Sequence, residues 1–215
     1  MQKIIPAILT ADPADLKEKL EMLKGHTNWV HIDIMDGSFV PGRTTNLFEL
    51  GEASRFFNLE IHLMVEEPFK YFEDCSSIGA KRVVFHAEAV RAKDSMISAL
   101  DSQGFQKGVA LNKTASLKLV SAYAQKISSI LLMGIEPGAQ GRPFDAVVLP
   151  KIKEAKEAYP DLLCGVDGGI GRENIRSVFA NGADYVAVGS EIMQAEDSLS
   201  VFKALEEMVQ STNAS

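Results

Sequence analysis

Eight short runs of almost unbroken apolar residues punctuate the chain: "KIIPAI", "WVHIDIM", "LEIHLMV", "RVVFHA", "KGVAL", "ISSILLM", "LLCGVD" and "YVAVG". Such runs predict strands buried on both faces, the habit of a parallel sheet sheathed in helices. The segments between them have another rhythm. In "DPADLKEKLEMLKG", "ASLKLVSAYAQK" and "DAVVLPKIKEAKEAY" apolar residues recur at helical spacing, so each predicts an amphipathic helix. In "SSIGAKRVVFH" and "FANGADYVAVG" a Gly-Ala pair separates a helical stretch from a strand, as expected where glycine ends a helix in the left-handed conformation. Eight strand and helix units over 215 residues predict an α/β fold, a (β/α)8 TIM barrel that takes up residues 1–215 as a single domain. An open doubly wound sheet is the alternative architecture for the same alternation. No linker-like or low-complexity stretch divides the chain.

Composition narrows the functional classes. With 46% hydrophobic and 24% charged residues the chain can bury one sizeable core. A net charge of -7, a pI near 5.2 and the absence of a basic block argue against nucleic-acid binding, which needs cations to neutralise phosphates. The expected partners are small molecules or further copies of the chain. Cys75 and Cys164 form no CxxC pair, so neither a disulfide framework nor a cysteine zinc site is expected, only reduced, packed thiols. The start "MQKIIPAILTADPADL" turns polar too early for a secretory signal, and no apolar run is long enough to cross a bilayer. The expected compartment is cytoplasmic, with no membrane contact.

In a (β/α)8 barrel, reactive groups belong at the C-terminal ends of strands. His31 and Asp33 are two apart, so both project to one side of the second strand, and Met35 continues the row. His62 lies near the end of the third strand, His86 near the end of the fourth, and Asp167 ends the seventh. His86 taken alone reads as a hydrogen-bonded pocket residue. The set His31, Asp33, His62 and Asp167 reads as a metal site, because two carboxylates in one low-dielectric mouth repel each other and lose hydration unless a cation joins them. Two imidazoles and two carboxylates suit Zn²⁺, Fe²⁺, Mn²⁺ or Co²⁺ better than Ca²⁺ or Mg²⁺.

Glycine marks a second concentration. "DGGIGRENI" after the seventh strand and "VGSEI" after the eighth place Gly168, Gly169, Gly189 and Ser190 where such barrels bind phosphate through backbone N–H groups. The loop after the sixth strand, "MGIEPGAQGRPF", contains Gly138, Ala139, Gln140 and Gly141 and is long enough to fold over a substrate or to remain a plain surface excursion.

With these residues in place, the sequence resembles the ribulose-phosphate 3-epimerase family over nearly its whole length, from "PAILTAD" through "HIDIMDGSFVP", "HLMV", "FHAE", "PGAQGRPF" and "VDGGI" to "GADYVAVGS". The resemblance implies a barrel of the ribulose-phosphate-binding type, with one divalent metal, usually zinc or iron, held by His31, Asp33, His62 and Asp167. It implies that Asp33 and Asp167 are the catalytic acid and base, and that His62, Met35, Met64 and Met133 adjoin the substrate. Gly168, Gly169, Gly189 and Ser190 would contact phosphate, and Gly138 to Gly141 would close as a lid. The implied reaction inverts C3 of a ketose phosphate, D-ribulose 5-phosphate to D-xylulose 5-phosphate in the pentose phosphate pathway. It would pass through a metal-stabilised cis-enediolate, with no organic cofactor. A homo-oligomer, dimer or hexamer, is also implied.

Some family positions differ. Ala7 stands where a substrate-contacting serine is usual, Thr10 replaces a second serine, and Gly42 stands where asparagine is typical. Within 136–144 the lid reads "EPGAQGRPF", altered at Glu136, Ala139, Gln140 and Arg142. Related phosphate barrels that decarboxylate or add formaldehyde use a DxKxxD pattern. The corresponding residues here are His31, Asp33 and Asp36, without the lysine, which favours epimerisation. Two other functions stay open: a D-allulose 6-phosphate 3-epimerase, if the altered lid enlarges the pocket, and a non-catalytic phosphosugar-binding barrel.

Overall fold

The computed structural model describes residues 3–89, 93–138 and 140–211. All eight apolar runs form strands: β1 (Ile4–Ile8), β2 (Trp29–Met35), β3 (Asn58–Met64), β4 (Arg82–His86), β5 (Gln106–Leu111), β6 (Ser129–Met133), β7 (Leu163–Asp167) and β8 (Tyr185–Val188). Each pairs in parallel with the next, and β8 pairs with β1, so the sheet closes into a barrel. Closure removes both sheet edges and rules out the open doubly wound alternative.

The near-continuous apolar runs conceal an alternation that the barrel resolves. Ile32 and Ile34 of β2, Leu59, Ile61 and Leu63 of β3 and Val83 and Phe85 of β4 join the large apolar cluster around the barrel. The intervening residues point inward, where Ile5, Val84, Ala110, Leu131 and Tyr185 form a separate small cluster. Parallel register sets the inward residues side by side. His31 lies opposite Ala7 and Glu60, Glu60 opposite Arg82, Asp33 opposite His62, and Met133 opposite Asp167. The inward positions of β2, β3 and β4 are therefore occupied largely by ionisable groups.

Helix α1 (Pro13–Leu23) starts at Asp12, whose side chain accepts from the Ala14 N–H, and buries Leu16, Leu20 and Leu23 at helical spacing. Helices α2 (Phe72–Ser77), α3 (Lys93–Asp101), α4 (Val148–Ala158), α5 (Ile175–Ala180), α6 (Ser190–Met193) and α7 (Ser198–Ser211) follow. Both Gly-Ala junctions end a helix as expected. Gly79 and Gly182 have φ of 73° and 104°, and the next N–H, of Ala80 or Ala183, returns to the carbonyl of Cys75 or Val178.

The strict alternation of strand and α-helix fails twice. Between β2 and β3 lie two short 3-10 turns, Leu47–Leu50 and Ala53–Arg55, and between β5 and β6 the predicted amphipathic helix is a 3-10 helix, Leu117–Ala122. The second difference has a reason in the sequence. Its buried residues Leu117, Val120 and Tyr123 recur every third position, the 3-10 period, with Ser116 capping the start. The Lys151 ammonium donates to the carbonyls of Asn112, Lys113 and Ala115 just ahead of this helix. Cys75 and Cys164 are free and buried, and burial pushes both thiols up to about 12. Among the described residues no helix is long and apolar enough to cross a membrane.

Candidate metal and substrate site

Strand ends β2, β3 and β7 bring His31, Asp33, His62 and Asp167 together, with one ligand atom from each lying within 4.8 Å of the others. His31 Nε2 is 3.2 Å from Asp33 Oδ1 and 3.9 Å from Asp167 Oδ2. His62 Nδ1 is 2.9 Å and 3.5 Å from the same two oxygens. The two imidazoles thus present different nitrogens to one point. Each has its remaining nitrogen engaged. His31 Nδ1 lies 2.6 Å from Glu60 Oε1, and His62 Nε2 lies 3.0 Å from His86 Nε2. Glu60 in turn accepts from Arg82 at 2.6 Å and from the Tyr185 hydroxyl at 3.1 Å.

Crowding pulls these groups in opposite directions. Burial opposes ionisation of Asp33, but hydrogen bonds and charge from His31 and His62 hold its carboxyl well below the usual range. Asp167 is pushed up to about 6 by burial and by the Asp33 charge, which outweigh the attraction of His31 and His62. Burial also opposes the charge on His31, yet Asp33, Glu60 and Asp167 raise it well above its ordinary value. His86 is lowered to about 4 by burial. Two buried carboxylates that ionise so unequally are what a divalent cation relieves, and the mixed nitrogen and oxygen donors fit one.

Above these residues lies a pocket. Among the described residues that line it, Asp33 and Asp167 are the titratable ones, while His31 and His62 sit fully buried behind them. Met64 and Met133 line it as well. Met35 does not. It packs against Val40 and Met64 in a small cluster beside the pocket. On the β7 and β8 side the wall is made by Gly168, Gly169, Gly189 and Ser190. Gly168 and Gly169 both have positive φ, 99° and 69°, and a Cβ there would meet Ile135 at 2.4 Å or the Phe144 backbone at 2.7 Å. Bare backbone is thus required where the sequence placed a phosphate cradle.

Pro137, Gly138, Gln140 and Gly141 complete the lining from above, and Ala139 lies outside the described residues. The loop lies over the site, and the Gln140 amide reaches to 3.2 Å of where a Gly189 Cβ would stand. The pocket is partly open, with a volume of about 40 Å³.

Comparison with known sequences agrees with this arrangement. The profile of the Ribulose-phosphate 3 epimerase family matches residues 3–193. The chain belongs to that family. A ribulose-phosphate 3-epimerase of Bacillus subtilis is 35% identical over 205 residues, covering 92% of this chain and 94% of the relative. One from Schizosaccharomyces pombe is 30% identical over 213 residues, covering 96% and 93%. The cytoplasmic isoform from Oryza sativa is 31% identical, covering 97% and 94%. By structure, a 3-hexulose-6-phosphate synthase superposes with a TM-score of 0.72 at 14% identity, covering 95% of this chain and 98% of that one. At that identity the likeness concerns the fold.

Behind the family's motif residues stand groups that motif spacing did not single out: Glu60, Arg82, Tyr185 and Glu88. Strand periodicity contains the signal for two of them. Glu60 precedes His62 by two and Glu88 follows His86 by two, so each falls on or continues an inward row. Asp36 turns away from that row. Its carboxylate accepts from the N–H groups of Ser38, Phe39 and Glu66, pinning the β2 loop to the β3 loop.

Proposed function

We propose that the protein is a metal-dependent 3-epimerase of a ketose phosphate, with D-ribulose 5-phosphate and D-xylulose 5-phosphate as its substrate pair. Family membership supports the reaction class, and one observation supports the mechanism. Asp33 and Asp167 approach the pocket from β2 and β7, backed by two buried imidazoles. Inversion at carbon needs a base on one face and an acid on the other, and this pair supplies both. One carboxylate removes the C3 proton while the other returns a proton to the opposite face. A divalent ion held by His31, Asp33, His62 and Asp167, zinc or else iron, manganese or cobalt, would polarise the substrate oxygens as a Lewis acid. Met64 and Met133 offer apolar walls, with Met35 packed beside Met64. The glycine wall with Ser190 receives the phosphate, and residues 138–141 exclude water from the closed site. No organic cofactor is needed. The whole of residues 1–215 acts as a single barrel unit, in the cytoplasm, as a homo-oligomer, dimer or hexamer.

The deciding experiment follows C3 proton exchange in D₂O by NMR, with D-ribulose 5-phosphate and D-allulose 6-phosphate in competition. Exchange is expected in the wild type with the pentose preferred. It is abolished in Asp33→Asn and in Asp167→Asn. Preference for the hexose overturns the substrate, and exchange in neither sugar favours a binding barrel without catalysis.

A further inference from the structure

Two groups behind His31, Asp33, His62 and Asp167, the buried His86 and the half-buried Glu88, take no part in the chemistry above. His86, at the end of β4, is fully buried, with Nε2 3.0 Å from His62 Nε2. Glu88 lies in the 3-10 turn Ala87–Ala89. Its Oε1 accepts from the Asn112 backbone N–H at 2.7 Å, and its Oε2 faces His86 Nδ1 at 3.7 Å. Neither of those last two atoms has a hydrogen-bond partner in the structure. Glu88, His86 and His62 thus form a file that ends at Asp33 and Asp167.

Only one proton fits between two Nε2 atoms 3.0 Å apart, so the file can run in two directions. If His86 donates, its bare Nδ1 faces the Glu88 carboxylate, acceptor against acceptor, in a buried place where such a clash is costly. His62 must then bear its proton on Nδ1, the nitrogen that faces the two aspartates. If His62 donates, His86 bears its proton on Nδ1, directed at the Glu88 carboxylate, and the His62 Nδ1 lone pair faces Asp33 Oδ1 at 2.9 Å, an arrangement that a cation bound between them stabilises. We propose that Glu88 fixes this second direction, acting through His86 as a positioning residue so that His62 offers a lone pair rather than an N–H to a divalent cation. The proposal rests on the metal reading above and adds an outer partner to one ligand, where such partners set tautomer and affinity.

Glu88→Gln is the sharpest probe. With its Oε1 still accepting from Asn112, the new side chain turns an NH₂ toward His86 Nδ1, and the file runs backwards. In the full-length protein, zinc affinity measured against a chromophoric chelator is expected to fall about 10- to 100-fold. In ¹⁵N spectra of histidine-labelled, zinc-loaded wild-type protein the His86 ring proton is expected on Nδ1. His86→Leu also weakens zinc, and adding Glu88→Gln to it causes no further loss, because Glu88 acts through His86. Unchanged zinc affinity in Glu88→Gln, or a zinc-loaded wild-type His86 protonated on Nε2, overturns the proposal. A wild-type protein that takes up neither zinc, iron, manganese nor cobalt overturns the metal reading instead.

Discussion

A carboxyl group 8% exposed, sharing its surroundings with a second carboxylate and two imidazoles, does not titrate as a free one. Asp167 titrates near 6 in the folded chain against an ordinary 3.8, so the folded state binds its proton more tightly than the unfolded state. That stabilisation is full below about pH 4 and is lost as pH rises through about 6. His31, raised well above 6.5, adds a contribution present below its ordinary value and lost at higher pH. Asp33 and Glu60, both held low, act in the opposite sense only below their ordinary values of 3.8 and 4.5. Chelator-treated protein should therefore lose thermal stability between about pH 5 and 8. Zinc should restore more of it at pH 8 than at pH 5, since protons no longer compete for the ligands. Thermal unfolding with and without zinc checks this, and a metal-free Tm that climbs over that range contradicts it. Residues of this kind differ in how legible they are. His31, Asp33, His62 and Asp167 stand out because they fall at strand ends with a period of two. Glu60 resembles any surface carboxylate until the register sets it against Arg82 and His31, which are 22 and 29 positions away in sequence.

At the level of elements, the strands were legible because burial on both faces leaves long apolar runs, and the Gly-Ala junctions because a left-handed helix end requires glycine there. The 3-10 helix Leu117–Ala122 was not, since twelve residues cannot separate a period of 3.0 from one of 3.6 by composition alone. The loop after β6 shows what local geometry adds. Gly138 has φ of 99°, and a Cβ placed on it would stand 2.9 Å from the Cβ of Val40. Gly138→Ala therefore strains the loop against Val40. Backbone strain of about 1–3 kcal/mol corresponds to a fall in kcat/KM of about 5- to 150-fold. Steady-state kinetics will show it. An unchanged kcat/KM would mean that closure over Val40 plays no part in turnover.

For the whole molecule, two surfaces matter, one outside and one within. Outside, Phe48, Phe56 and Phe69 are 63%, 51% and 43% exposed on an acidic chain. Sedimentation equilibrium is expected to find dimers or hexamers, and a monomer at micromolar concentration excludes the proposed assembly. Within, Glu60, Arg82 and Tyr185 fill the barrel interior beneath His31, Asp33, His62 and Asp167, with Arg82 packed over the Trp29 and Tyr185 rings. Gly165 makes this possible, because a Cβ there would lie 2.3 Å from Tyr185 Cζ. Gly165→Ala should cost about 1–3 kcal/mol in denaturant unfolding. Among the described residues this plug fills the barrel beneath the pocket. In the proposed epimerisation an abstracted hydrogen would then meet solvent from the strand-end side, and the isotope found at C3 would record how often it exchanges there before it is returned.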